Sequence, residues 1–342
     1  MKIAVIGAGA IGSLVAGYLT KAGEDVTLIG RKDQVDAVNK NGLRIVKHDG
    51  QETIAVKAKT KLDQEYTLVI FATKTQDIEE AYQDNKEFLT NPYQIVLTTQ
   101  NGVQADNMIS CHFEPMAVIS SIVMFGSTYV KPGEVTFNFP GDWIIGKPFS
   151  TNDTKVTDVE RVLSKAFPVI VTQEIVGMKW LKLFVNFNNC IPAMVGKSMQ
   201  ETFSDMDFCR LSILLLKEGL EIVSRAGIEI VCLPKLPSDR IKSLAAMPLN
   251  QAAGIINKTL TGLSKEPLYG SILQSIMRKK LSEIDFINGE VVMLAKGIGR
   301  EAPLNTRVIE LVHQVENEGK FLDPEFVKRE FNLSEAQSYG TM

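Results

Sequence analysis

Lys182, Asn186 and Cys190 recur every four residues in the stretch 179–194. On a helix, that spacing sets an ammonium and a carboxamide one turn apart on the same face. Together they could grip a carbonyl oxygen and supply its proton. A second set lies in Ser282-Glu283-Ile284-Asp285-Phe286-Ile287-Asn288-Gly289, where two carboxylates stand among apolar residues. One of them could face a cleft and accept a hydrogen bond from a substrate hydroxyl. These groups suit the reduction of a carbonyl, in which a hydride carrier needs a partner that protonates the oxygen. Other proton donors fit less well. None of the three histidines, His48, His112 and His313, sits in a recognisable site motif. Tyr82 and Lys86 match a Tyr-x-x-x-Lys pattern by chance, in a polar stretch directly after a strand. Spacing alone favours solvated polar faces of amphipathic helices for both stretches, with Trp180, Phe184, Phe187 and Ile191 forming the apolar stripe of the first.

The hydride carrier is legible at the chain start, MKIAVIGAGAIGSLVAG. Residues 2–6 form a short apolar run that suits a buried parallel strand. Gly7, Gly9 and Gly12 follow at G-x-G-x-x-G spacing, and apolar residues then recur at helical period. Gly7 permits the tight turn, Gly9 lets a pyrophosphate approach the backbone, and Gly12 lets helix and strand pack closely. The helix N-terminus offers unpaired N–H groups to the phosphates, so Gly7, Gly9, Ala10, Ile11 and Gly12 are the expected cofactor contacts. The second strand, residues 26–29, ends in Gly30-Arg31-Lys32, where NAD-preferring sites carry an acid. Arg31 can fork onto a 2′-phosphate, so NADPH is the expected cofactor. A solvated cationic pair at Arg31 and Lys32 is the alternative.

The surrounding elements form two domains. Residues 43–45 and 53–58 read as a hairpin around Asp49-Gly50, and residues 66–72 and 94–99 as buried strands. Thr73-Lys74-Thr75-Gln76 and Gln100-Asn101-Gly102 stand at the carboxyl ends of those two strands, where ligands gather in open α/β sheets. Further strands are expected at residues 117–124, 133–138, 143–145 and 169–172, with a turn at Pro132-Gly133 and a helix at 157–166. Beyond residue 176 helical periods dominate, with helices at 179–194, 205–225, 236–244, 271–296 and 306–318. Gly227 closes the second of these, and Ser271 with Gln274 fits a capping box that opens the fourth. The fold class is therefore α/β. An N-terminal Rossmann-type doubly wound sheet, residues 1–172, binds NADP. An all-α C-terminal domain, residues 173–342, carries substrate and catalysis.

Composition narrows the partners. The 342 residues are 45% hydrophobic and 23% charged, with a formal net charge of -3. That balance suggests neither a nucleic-acid nor an anionic-membrane partner. Cys111, Cys190, Cys209 and Cys232 show no C-x-x-C pairing, so neither a metal site nor a disulfide framework is expected, and a reducing cytoplasm suits the chain. The three glycines interrupt the apolar start, which argues against a signal peptide, and no apolar stretch reaches membrane-spanning length. A homodimer is compatible with the sequence.

The chain resembles the ketopantoate reductase family (2-dehydropantoate 2-reductase), NADPH enzymes of the pantothenate and coenzyme A pathway. The resemblance rests on GAGAIG, Gly30-Arg31, Thr73-Lys74-Thr75-Gln76 and Gln100-Asn101-Gly102. It continues through Trp180-Leu181-Lys182-Leu183 with Asn186, Ser282-Glu283-Ile284-Asp285 to Gly289, and Asn305-Thr306-Arg307. It implies that Lys182 is the general acid and that Glu283 binds the substrate hydroxyl. It further implies that Lys74 and Asn101 lie at the cofactor–substrate junction, and that Asn186 and Ser271 contact the substrate. For Lys182 and Glu283 it reverses the preference for a solvated face. Cys190 replaces a second Asn of the family, Leu268 replaces an Asn, and Gln274-Ser275 replaces Gln-Asp. The implied activity is NADPH-dependent reduction of ketopantoate to pantoate. A paralogue acting on another small 2-keto acid is the alternative within enzymes. The alternative outside them is a non-catalytic NADP(H)-binding sensor, which would need no proton donor.

Overall fold

A computed structural model describes residues 1–333. The chain divides into two compact units, Met1–Val176 and the residues from Gly177 onward. The first unit carries twelve strands among its described residues: β1 (Lys2–Ile6), β2 (Asp25–Ile29), β3 (Leu43–Lys47), β4 (Gly50–Ile54), β5 (Lys57–Lys59), β6 (Leu68–Phe71), β7 (Ile95–Thr98), β8 (Val118–Val123), β9 (Gly126–Lys131), β10 (Glu134–Phe139), β11 (Trp143–Gly146) and β12 (Val169–Val171). Its helices are α1 (Ala10–Lys21), α2 (Lys32–Asn41), α3 (Ile78–Asn85), α4 (Gln104–Ser110) and α5 (Thr154–Leu163). Eight strands form the main sheet in the order β12-β11-β8-β7-β6-β1-β2-β5. All its pairs are parallel except β11 with β8.

Alternation along β1 builds a core on each sheet face. Ile3 and Val5 join one cluster, with Leu14, Val15 and Leu19 of α1. Ala4 and Ile6 join another, with Ile78, Ala105 and Ile109. Each large aliphatic side chain so buried contributes roughly 1.5–3 kcal/mol. Both faces are covered, which is why β1, β6 and β7 read as continuous apolar runs. A second sheet, β4-β3-β10-β9, lies over α1. Its Ile45 and Leu43 come so close to Gly17 that a Cβ there would stand 2.9 and 3.1 Å from them. This sheet changes two sequence expectations. The hairpin ends at Ile54, and Ala58 belongs instead to β5 at the main-sheet edge. The turn at Pro132-Gly133 joins β9 to β10, outside the main sheet.

The second unit is helical: α6 (Ile175–Asn186, starting just before the boundary), α7 (Cys190–Val195), α8 (Met199–Phe203), α9 (Met206–Arg225), α10 (Ser238–Ala246), α11 (Leu249–Thr261), α12 (Ser271–Met277), α13 (Asn288–Gly297), α14 (Pro303–Glu318) and α15 (Pro324–Glu330). Two expected long helices are each broken. The stretch 179–194 divides at a 3-10 turn, Phe187–Asn189. Pro192 lacks an N–H and its ring opposes the carbonyl four residues back, so it belongs in the first turn of a new helix, α7. The stretch 271–296 leaves the helix after Met277, where Lys279 adopts a left-handed φ of 54°. The Ser282 hydroxyl then accepts from the Ile284 N–H, a local bond that competes with helix. A 3-10 turn, Ile284–Phe286, follows, and α13 restarts at Asn288. The capping box at Ser271 is also absent. Gly270 holds the cap position, and the Gln274 amide donates to the Tyr269 carbonyl. A complete capping box occurs at Ser198 and Glu201 instead.

Candidate functional site

In the first unit, four loops leave the carboxyl ends of the parallel neighbours β2, β1, β6 and β7. The chain proceeds from β1 to opposite sides of the sheet, which is where open α/β sheets hold ligands. The Gly7 N–H donates to the Ile29 carbonyl at 2.9 Å, and Gly7 has a φ of +112°. A Cβ on Gly7 would stand 2.5 Å from the Thr73 nitrogen, and one on Gly12 would collide with the Gly7 carbonyl. Gly9 differs, because a Cβ there meets nothing within 4 Å. Gly9 caps α1 with no side-chain cap and no acid in the first turn. The Ala10 and Ile11 amides are among the first helical N–H groups, which lack intrahelical acceptors. The residues present therefore fit a dinucleotide pyrophosphate, with an open cradle at Gly9 and a helix N-terminus behind it.

At the end of β2, a Cβ on Gly30 would collide with the Ala8 side chain. This leaves no space for an acidic ribose clamp at that position. Arg31 follows, exposed, at the cap of α2, whereas Lys32 pairs with Asp36 one turn on at 2.8 Å. The two cations thus have different settings: Lys32 is engaged along its own helix, and Arg31 stands exposed at its cap. Lys74 is half-buried in the loop after β6, and Asn101 half-buried in the loop after β7. Sequence reasoning missed what ties these loops together. The buried Gln100 amide donates to the Phe71 and Thr73 carbonyls, both at 3.0 Å, while its oxygen accepts from the Thr99 N–H. Buried Asp106 in α4 accepts from Thr98 and Ser120 hydroxyls at 2.6 Å, fixing the helix that follows Asn101. Tyr82 stacks on His112 at 3.8 Å and Lys86 donates to Gln83, so the Tyr-x-x-x-Lys pair is engaged elsewhere.

In the second unit, α6 packs its apolar stripe inward. Trp180, Phe184, Phe187 and Ile191 are all buried. The rings of Phe184 and Phe187 meet α9 at Gly219, where a Cβ would approach them to 2.7 and 3.1 Å. That packing sets the opposite side of α6, with Lys179 buried and Lys182 half-buried. Burial pushes the Lys182 ammonium down to about 8, and the Lys179 charge acts in the same direction. The Glu283 carboxylate acts on Lys182 in the opposite sense, so the fold sets these two sequence-distant groups within electrostatic range of each other. Asn186 ends α6, half-buried, one turn from Lys182. Ser271 opens α12, exposed, beside Gly270, which abuts the Asn189 side chain.

Cys190 departs from the expected polar face. It is fully buried, its thiol donates to the Phe187 carbonyl at 2.9 Å, and burial pushes its pKa up to about 12. It also meets the Asn288 side chain. Asn288 donates to Asn305 at 2.9 Å, and Asn305 donates to Glu218 at 2.7 Å. Glu218 in turn accepts the Leu304 and Asn305 backbone N–H groups at the start of α14. The three buried or capped groups lock α13, which follows the Glu283 turn, onto α9 and α14. Leu268 is exposed, and its N–H and carbonyl hold Gln200 and Met199.

Two family models match the chain: ketopantoate reductase PanE/ApbA over residues 3–148, and ketopantoate reductase PanE/ApbA C terminal over residues 174–316. A 2-dehydropantoate 2-reductase of Pyrococcus horikoshii is 32% identical over 326 residues, covering 93% of this chain and 99% of its own. A PanE/ApbA family ketopantoate reductase structure from Ralstonia eutropha JMP134 is similar with a TM-score of 0.78 at 25% identity, over 93% of this chain and 99% of that one. D-mandelate dehydrogenase, in a ternary structure with NADH and anilino(oxo)acetate, shares the fold with a TM-score of 0.78 at 20% identity, over 93% and 99% of the two chains.

Proposed function

Because the chain belongs to the ketopantoate reductase family, we propose that it reduces 2-dehydropantoate to pantoate with NADPH. The observation that carries this reading is that the Glu283 carboxylate, about a hundred residues away in sequence, acts electrostatically on the Lys182 ammonium. NADPH supplies a hydride to the carbonyl carbon of the substrate. The residues of this chain supply the rest. Gly7, Gly9, Gly12 and the α1 amides hold the pyrophosphate, Arg31 takes the 2′-phosphate, and Lys74 and Asn101 serve the cofactor–substrate junction. Lys182 hands its Nζ proton to the developing alkoxide. A donor at about 8 is mostly protonated at neutral pH and still gives up its proton readily, the balance general acid catalysis needs. Glu283 accepts a hydrogen bond from the substrate's terminal hydroxyl, while Asn186 and Ser271 contact the remainder.

A second reading, a paralogue for another small 2-keto acid, is favoured by one observation. Cys190 turns its thiol to the Phe187 carbonyl inside the core, so it offers no amide to a substrate. The test is NADPH oxidation measured with ketopantoate and with the analogue in which the terminal hydroxyl is hydrogen. A site built to bond a hydroxyl rejects the analogue, since its own carboxylate is left unpaired. Equal turnover of both would transfer the assignment to the paralogue.

A further inference from the structure

His313 was set aside in the sequence because it belongs to no motif. In the fold it stands between two carboxylates. Its Nε2 meets Asp285 at 3.0 Å, and its Nδ1 meets Glu316 at 2.8 Å. The other oxygen of Glu316 accepts the Ser282 N–H at 2.7 Å. Ser282 and Asp285 bracket Glu283, so α14 grips both sides of the segment that carries the proposed hydroxyl acceptor. Between Met277 and Asn288 that segment has no α-helix of its own, only the 3-10 turn Ile284–Phe286. Its conformation therefore depends on such outside contacts.

The chemistry of the ring is decided by its partners. Ionised carboxylates accept and do not donate, and a neutral imidazole has a single N–H. Only the imidazolium satisfies both contacts together. We propose that His313 is a protonation-dependent clamp that positions Glu283 for the substrate hydroxyl, a role that rests on the reading of Glu283 given above. The charged groups acting on the ring are Asp285 from the clamped segment and Glu316 from α14. Both hold its pKa above the ordinary 6.5 against the opposing effect of burial. A raised value means that the clamp is complete below the ordinary histidine range and is released as pH rises through the folded value.

Steady-state kinetics of the wild type, His313→Ala and His313→Gln, with ketopantoate and its deoxy analogue across about pH 5.5–8.5, test the clamp around the histidine range. At the acid end, His313→Ala is expected to raise the ketopantoate KM about three- to tenfold, the effect of losing a partly exposed charged hydrogen bond. Its kcat should stay near the wild-type value, and its KM should no longer climb with pH as the wild-type KM does. His313→Gln, which keeps donors but cannot titrate, should recover part of the KM and remain flat. Wild-type KM values and pH dependence in both variants would overturn the clamp, while a preserved preference for ketopantoate over the analogue would leave the Glu283 reading standing. If the wild type does not distinguish the two substrates, the Glu283 reading fails, and amide exchange of residues 282–287 tests the clamp on its own. Exchange should quicken, beyond its intrinsic pH dependence, as the His313 ring loses its proton in an NMR titration of the wild type, and lose that step in His313→Ala. Exchange that ignores the ring's titration overturns the clamp.

Discussion

Lys182 shows how much one residue's setting decides. An exposed lysine would be too weak an acid to serve an alkoxide well at neutral pH. Burial and the neighbouring Lys179 bring this one to about 8, and Glu283 keeps it from falling further. Lys182→Ala is expected to cut kcat by about 10²–10⁴ with cofactor binding retained, as read by NADPH turnover and fluorescence titration. In the wild type, kcat should decline as pH rises through about 8, because the donor loses its proton. Arg31 is the other residue whose proposed role can be tested separately. Arg31→Ala should raise the NADPH KM by about one to two decades, the loss of one charged phosphate contact, and leave NADH use nearly unchanged. A wild-type enzyme that prefers NADH would remove that assignment. Glu283→Ala should narrow the preference for ketopantoate over its deoxy analogue, and Glu283→Gln should narrow it less, since an amide oxygen still accepts.

At the scale of elements, the site is made by turns held from outside. Gln100 holds the loop after β6 against the loop after β7 through two carbonyls, which fixes the backbone beside Lys74 and Asn101. Gln100→Ala takes the amide donor from the Thr73 carbonyl, while the Phe71 carbonyl keeps the Thr99 N–H and hydroxyl, at roughly 1–3 kcal/mol. Its expected signature is a higher KM for NADPH together with a lower thermal midpoint, whereas Gln100→Glu, which cannot donate to both carbonyls, should not rescue it. The breaks at Asn186–Cys190 and Met277–Asn288 have the same logic. An unbroken helix over residues 271–296 would have placed Glu283 by helical period alone. The turn that replaces it is placed by Glu316, His313 and the Asn288–Asn305 bond.

At the scale of the molecule, the proposed function divides between the two units by chemistry. The parallel sheet of the first presents backbone N–H groups and loops at one edge. The helices of the second bury aromatic stripes and leave a polar face that carries Lys182. Cofactor stabilisation should therefore report on the first unit. NADPH at about a hundred times its Kd should add about 2.7 kcal/mol to the stability of the state that binds it. Gly12→Ala forces a collision with the Gly7 carbonyl and should abolish that thermal shift in differential scanning calorimetry. A preserved shift in the variant would separate the glycine turn from the cofactor.

The sequence by itself determined the α/β class, the glycine turn and the order of the motifs, because each of these is local. A buried parallel strand must be apolar throughout, and a close helix–strand approach must be glycine, as Gly7 and Gly12 are. It also marked Lys182 and Glu283 for attention, although spacing alone favoured a solvated face for each. Only the tertiary structure decided that Glu283 acts on the Lys182 ammonium, that Cys190 points into the core and not onto the polar face of its helix, and that His313 bridges two acids. Each of these depends on where a helix stops. Pro192 and the Ser282 hydroxyl end helical period within a few residues, and the direction taken afterwards is set by partners on a later helix, Glu316 for Ser282 and Asn305 for Asn288, 34 and 17 positions away.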